Sequence, residues 1–328
     1  MMTGAEYVLT VKNLVTSFPV GSGWKPVVNK VSFSIKAGET LGVLGESGCG
    51  KSMLALSLMG LVPSPGVVAG RILFQGHDLL AAPALYNSLR GRRMSMIFQE
   101  PRSMFNPLLT VGQHFREILR WHLKMKRRDA ELKAMELLGE VGLGSSKGFL
   151  ELYPHELSGG TLQRVLISLA LCCGPELVVA DEPATALDMT VQAQVMEYLR
   201  RFRDKNGQAL MLITHDLGII RENCERVLVM YAGEVVETGP VQAVYSQPAH
   251  PYTEALLNIY QALSRTTGVH LRPIPGQVPE FGEKLTDCPF APRCGYKTVE
   301  CTETRPVPVA VGPEHMAACH RAGRGRNG

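Results

Sequence analysis

No apolar run in the sequence is long enough to cross a bilayer. LALSLMGLV, residues 54–62, falls far short of a spanning helix, which needs about 20 such residues. The opening MMTGAEYVLT has neither a basic start nor an apolar stretch behind it, which predicts no secretory leader. Charge of one sign is also scarce. The 34 Lys and Arg nearly balance 30 Asp and Glu, and a net +4 does not predict nucleic-acid binding. No C-x₂-C pair is present, so the usual knuckle of small zinc folds is missing. No heptad-rich insertion interrupts the chain. The expected setting is the cytoplasm, where thiols stay reduced.

What is present is an alternation of strands and helices. Residues 7–18 and 30–36 alternate apolar and polar, as in VSFSIK, and residues 69–76 do the same; these predict an antiparallel layer. TLGVL, LVVAD and LMLIT are continuous apolar runs suited to strands buried on both faces. Residues 51–61 and most of 111–142 carry helical periodicity, and residues 226–239 predict a hairpin turning near Ala232-Gly233. The fold expected is α/β: a core on a parallel sheet, an antiparallel β subdomain, a helical subdomain at about 100–156, and a small cysteine-containing extension. Proline becomes frequent after about residue 265, which places a domain boundary between 1–265 and 266–328.

GESGCGKS, Gly45 to Ser52, has the spacing G-x-x-x-x-G-K-[ST] between a strand and a helix. That context makes it a phosphate-binding P-loop, formed by Gly45, Glu46, Ser47, Gly48, Cys49, Gly50, Lys51 and Ser52. Its glycines allow successive N–H groups to face phosphate oxygens at a helix N-terminus. Lys51 is placed for the β- and γ-phosphates of ATP, and Ser52 for Mg²⁺. Cys49 is expected to pack, with oxidation-sensitive nucleotide binding as the alternative. Downstream, LVVADEP ends a buried strand in Asp181, where a carboxylate needs a cation such as Mg²⁺. Glu182 is expected to point away from Asp181 by strand alternation and to act as general base.

Further segments follow in a set order: Gln99 ending SMIFQ, LSGG at Leu157 to Gly160, TALD ending at Asp188, and His215 in LITHD. With the P-loop and LVVADEP, this order resembles the ABC-transporter ATPases. The resemblance implies that Gln99 senses the γ-phosphate and contributes to the Mg²⁺ site. It implies that His215 is the switch histidine and that Ser158, Gly159 and Gly160 close on ATP held by an opposite subunit. The residue after LSGG departs from the pattern: Thr161 stands where Gln or Met is usual. Family members stack adenine on an aromatic residue before the P-loop. Phe18 is the candidate and Trp24 the second, with core packing as the alternative for Phe18.

QPAHPYTEALL, RPIPGQVP and CPFAPRC, within residues 247–294, extend the resemblance to the dipeptide and oligopeptide importer branch. That branch implies a peripheral ATPase on the cytoplasmic face of the inner membrane. Its implied partners are a second ABC ATPase, copy or paralogue, and two permeases, with a solute-binding protein indirectly. The stretch 100–156 is then the part that receives a permease helix. An importer of nickel or another small solute is the alternative. A non-transport ABC ATPase is the rival from a different class.

Four cysteines remain, Cys288, Cys294, Cys301 and Cys319, spaced C-x₅-C-x₆-C-x₁₇-C in a proline-rich segment with little core of its own. Four thiolates suit structural zinc or an iron–sulfur cluster, and simple reduced cysteines are the third reading. His315 and His320 flank the last cysteine as substitute ligands. The family resemblance implies a [4Fe–4S] cluster at this place.

Overall fold

The computed structural model describes residues 7–185, 187–264, 273–279, 281, 283 and 287–322. The strands of the first third are β1 (Tyr7–Val20), β2 (Gly23–Lys36), β3 (Thr40–Leu44), β4 (Val67–Phe74), β5 (His77–Asp78) and β6 (Met94–Ile97). Those that follow are β7 (Leu177–Asp181), β8 (Ala209–Thr214), β9 (Arg226–Tyr231), β10 (Glu234–Pro240), β11 (Val309–Gly312) and β12 (His315–Ala317). Six longer helices matter here: α1 (Lys51–Leu58), α2 (Val111–Leu123), α3 (Arg127–Glu140), α4 (Gly159–Leu171), α5 (Met189–Asn206) and α6 (Pro251–Ser264). The chain packs as two compact units.

The first unit comprises residues up to Leu9, Ser34–Glu39 and Leu73–Ile213. In it β6, β7 and β8 pair in parallel, with Met94 beside Leu177 and Val178 beside Leu210. Every residue of β7 is buried, as its unbroken apolar run requires. Around Phe115, Leu119, Leu138 and Val165 the helices α2, α3 and α4 close a second core. Burying such side chains contributes roughly 2–3 kcal/mol apiece. The expected, mostly helical stretch 111–142 is divided between two helices. Thr110 starts α2 with a capping box to Gln113. Lys124 ends it in a left-handed conformation, φ 56°, with its N–H donated to the Arg120 carbonyl and the next N–H, of Met125, to the Leu119 carbonyl.

The second unit comprises Thr10–Phe33, Thr40–Ile72 and the chain from Thr214 onward. Parallel pairing of β3 with β9 sets Leu44 beside Val229, and β9 turns into β10 through Ala232 and Gly233, both at positive φ. That is the two-residue hairpin turn that suits the strands' twist. Strand β10 then takes β12 as its antiparallel neighbour, with β11 beyond. The parts of β2, β1 and β4 belonging to this unit lie side by side in that order.

Among the described residues, the cysteine-bearing extension packs into the core of this unit. Cys288, Phe290 and Cys301 bury themselves with Val227, Tyr231 and Tyr252. Tyr231, Tyr252 and Phe290 meet as a ring trio with centroids 4.8, 5.2 and 5.5 Å apart. The expected boundary between 265 and 266 lies outside the described residues, as does Ala186 of the TALD segment.

Candidate functional site

The P-loop follows β3 in the second unit and opens α1. Gly45 is forced by space: a Cβ there would lie 2.4 Å from the Met230 carbonyl oxygen. Gly50 is forced twice, by φ +101° and by a Val27 carbonyl oxygen 2.7 Å from where its Cβ would be. Gly50→Ala is therefore expected to cost at least 1–3 kcal/mol in stability and to lose ATP binding, read by thermal melts with and without ATP.

Lys51 is buried, and its ammonium donates to the Gly45 carbonyl at 2.8 Å and the Glu46 carbonyl at 3.0 Å. Ser52 and Ser47 are exposed, as is Gly48. Cys49 is buried, and burial pushes its thiol up against the pull of Lys51. A protonated thiol walled in this way matches the packing reading. Glu46 is anchored on two sides: its N–H donates to Tyr252 Oη at 2.9 Å and its carboxylate meets Arg293. His215 directly follows β8 and is exposed, while Asp216 caps the next turn through the N–H groups of Gly218 and Ile219.

Phe18 is half-buried. Its ring occupies the space a Gly66 Cβ would need and meets Phe281 edge-on at 6.4 Å. Trp24 is 53% exposed.

In the first unit Asp181 ends β7 and is buried. Glu182 does not continue the strand. Its φ is +48°, and its N–H donates to the Ile213 carbonyl at 2.9 Å. A left-handed turn, rather than strand alternation, directs this side chain. Its carboxylate accepts from Gln99 Nε2 at 3.2 Å and from Thr185 Oγ1 at 2.8 Å. The structure thus joins Gln99 to Glu182, two of the expected catalytic residues, and adds Thr185, which no motif marks.

Ser158 caps α4, its hydroxyl accepting from the Thr161 N–H at 3.2 Å, with the two hydroxyls 2.8 Å apart. Gly159 and Gly160 have room around them for an approaching anion: no neighbour lies within 4 Å of a Cβ at Gly159, and one leucine methyl lies at 3.3 Å at Gly160. Asp188 likewise caps α5 through the Val191 N–H. Buried Gln163 donates to the Pro183 carbonyl at 2.9 Å, tying α4 to the turn after Glu182.

All four extension cysteines line one small pocket with His250 and His320. Burial pushes Cys288 up to about 11 and raises Cys294 and Cys319, and neighbouring sulfurs add to each shift. Burial drives His250 down to about 4, so it is neutral. The Tyr296 N–H donates to Cys294 Sγ at 3.4 Å. Among the described residues no three His, Cys, Asp or Glu side chains stand close enough to hold one metal ion. The expected ligand set is therefore not formed. His315 is not in the pocket; it pairs with buried Glu237 at 2.7 Å.

A glycine loop before a helix, a lysine folded into it, and a strand ending in paired acids define a P-loop nucleotide hydrolase. Comparison with known proteins narrows the class. Residues 28–185 match the family described as ABC transporter, and residues 236–301 match the oligopeptide/dipeptide transporter C-terminal region. The chain is 42% identical to a probable peptide ABC transporter ATP-binding protein of Sinorhizobium fredii, covering 97% of this chain and 96% of that one. It is 40% identical to the oligopeptide transport ATP-binding protein OppD of Salmonella typhimurium, over 97% and 94% of the two chains. A dimeric ATP-binding cassette in a post-hydrolysis state with ADP and phosphate superimposes with a TM-score of 0.64 at 26% identity, covering 71% of this chain and 98% of the cassette. The chain belongs to the ATP-binding subunits of the oligopeptide/dipeptide ABC transporter family, and is an ABC ATPase. Among the described residues no helix is long and apolar enough to cross a membrane.

Proposed function

We propose that this chain hydrolyses ATP to energise import of di- and oligopeptides through a transporter whose permeases are separate chains. The observation that carries the reading is the pairing of an ABC cassette at residues 28–185 with an oligopeptide/dipeptide transporter C-terminal region at 236–301. It works at the cytoplasmic face of the inner membrane, against two permeases, with a solute-binding protein delivering peptide from outside. Residues 1–265 form the ATPase and 266–328 the extension. The reading is tested in cells lacking the chain. They are expected to stop taking up a labelled dipeptide and tripeptide, while uptake of free amino acids continues. Loss of nickel uptake with intact peptide uptake would instead favour the small-solute reading.

In the proposed chemistry Gly45 to Ser52 cradle the triphosphate and Phe18 flanks adenine. Ser52, Gln99 and Asp181 would hold Mg²⁺, which neutralises phosphate charge when bound. Buried Asp181 and exposed Ser52 are hard oxygen donors of the kind Mg²⁺ prefers. Glu182 takes a proton from the attacking water, and His215 contacts the γ-phosphate. Ser158, Gly159 and Gly160 serve the ATP of a second ABC subunit.

The four-cysteine pocket is proposed to hold a [4Fe–4S] cluster, with zinc as the second choice. What supports it is the donor set: all four cysteines line one pocket and the Tyr296 N–H is donated to Cys294 Sγ, so that binding would draw together sulfurs that stand apart in this structure. When bound, the group would cross-link a proline-rich segment. Protein purified without oxygen is expected to carry about four irons and four sulfides, lost in Cys288→Ser and Cys294→Ser. One zinc and no iron would replace the cluster by a zinc staple.

A further inference from the structure

We propose that Arg293 is a positioning residue for the ATP phosphate loop, acting through Glu46, so that the cysteine-bearing extension helps set the affinity of the nucleotide site. The inference rests on the ATP-binding role of the P-loop and is independent of what is transported.

Glu46 is the second residue of the P-loop, and each of its polar groups serves as an anchor. Its N–H is taken by Tyr252 Oη at 2.9 Å, and its carbonyl by Lys51 Nζ at 3.0 Å. Its carboxylate receives a two-pronged ion pair from Arg293, Nη1 to Oε2 at 2.7 Å and Nη2 to Oε1 at 3.1 Å. This fork-to-fork geometry fixes direction as well as distance, which a lysine cannot reproduce. The two residues are 247 positions apart.

Arg293 is itself held. Its side chain is 5% exposed. Its Nε donates to the Pro275 carbonyl at 2.8 Å, and its guanidinium lies 5.7 Å from the Tyr231 ring centre. It sits between Cys288 and Cys294 in sequence, and the backbone turns there bond Ala291 to Cys288, Arg293 to Phe290 and Cys294 to Ala291. The same segment that presents Cys288 and Cys294 to their pocket therefore aims the arginine at the P-loop. Tyr252, the other anchor, packs on Phe290 of that segment.

Two consequences of losing Arg293 act in one direction. The entrance of the P-loop loses a side-chain anchor, so its N–H groups are less preorganised for phosphate. The Glu46 carboxylate also loses its counter-charge and stands in the loop that receives a polyphosphate, where like charge repels. The second effect yields a signature: neutralising Glu46 should partly restore binding that removal of Arg293 has weakened. A role confined to packing of the extension has no such rescue.

The test is the dissociation constant for ATP of the purified full-length protein and four variants: Arg293→Ala, Arg293→Lys, Glu46→Gln, and Arg293→Ala with Glu46→Gln. Arg293→Ala is expected to weaken ATP binding about tenfold, the size of one lost charge-assisted contact. Turnover at saturating ATP should change less than KM does. Arg293→Lys should fall between Arg293→Ala and the wild type. The double variant should bind ATP more tightly than Arg293→Ala alone. Equal affinity in Arg293→Ala and wild type overturns the proposal. So does a loss of the same size with and without Glu46→Gln. If Arg293→Ala does not fold, Arg293→Lys with and without Glu46→Gln makes the same comparison. Failure of the wild type to bind ATP would instead strike the P-loop reading beneath the proposal.

Discussion

Glu182→Gln is expected to lower ATP turnover about 100-fold or more while ATP still binds, because a positioned general base contributes that much. The cause lies in the turn after β7. Asp181 closes a fully buried strand, and Glu182 leaves it with φ +48°. A non-glycine residue in that region is held there by its surroundings. Here the Glu182 N–H is bonded to Ile213, and its carboxylate to Gln99 and Thr185. A side chain fixed in this way can face a water without reorganising. Glutamine has the same size and keeps the turn, but it cannot take a proton. A drop of about 100-fold corresponds to about 2.7 kcal/mol of transition-state stabilisation. Single-turnover phosphate release and nucleotide binding separate the two effects. Turnover within twofold of wild type would remove Glu182 from the catalytic role.

Lys51→Ala is expected to abolish measurable ATP binding, a loss of about 100-fold or more from removing the buried cation proposed to meet phosphate. The ammonium lies inside the loop, bonded to the Gly45 and Glu46 carbonyls rather than exposed to solvent. Bending back onto its own loop, it satisfies two carbonyls that flank the anion site. Alanine removes the charge and leaves those two carbonyls without this donor. Equilibrium binding of a fluorescent ATP analogue reads the loss directly. Binding within threefold of wild type would show that the backbone N–H groups alone carry affinity. Thermal melting without nucleotide separates lost binding from lost folding.

The local parts of this site were legible in the sequence, because the chemistry that makes them is local. Strand, glycine loop and helix are encoded within Thr40 to Leu58, and LVVAD reads as a buried strand since all five residues are buried. Ser158 as helix cap is likewise a short-range fact. Legibility ended where backbone conformation or long range decided. Glu182 is aimed by a positive φ that no residue type announces. The break between α2 and α3 depends on a left-handed Lys124, where glycine would have been the visible signal. Thr185 became visible only once its hydroxyl was seen on the Glu182 carboxylate. The Arg293–Glu46 pair spans 247 residues and belongs to two different motifs, each read alone. In the extension, the gathering of four cysteines on one pocket was readable from composition. The positions of their sulfurs were not, because proline-rich backbone has no periodicity to fix them.

The central claim is that ATP hydrolysis by this chain drives peptide inward, and membrane vesicles containing the assembled transporter test it most directly. ATP consumed and labelled peptide accumulated are measured together. The account predicts peptide accumulation that requires ATP, stops with Glu182→Gln in this chain, and is unaffected by adding free amino acids. ATP hydrolysis by the intact wild-type assembly with no peptide movement, or peptide movement that persists with Glu182→Gln, would contradict it.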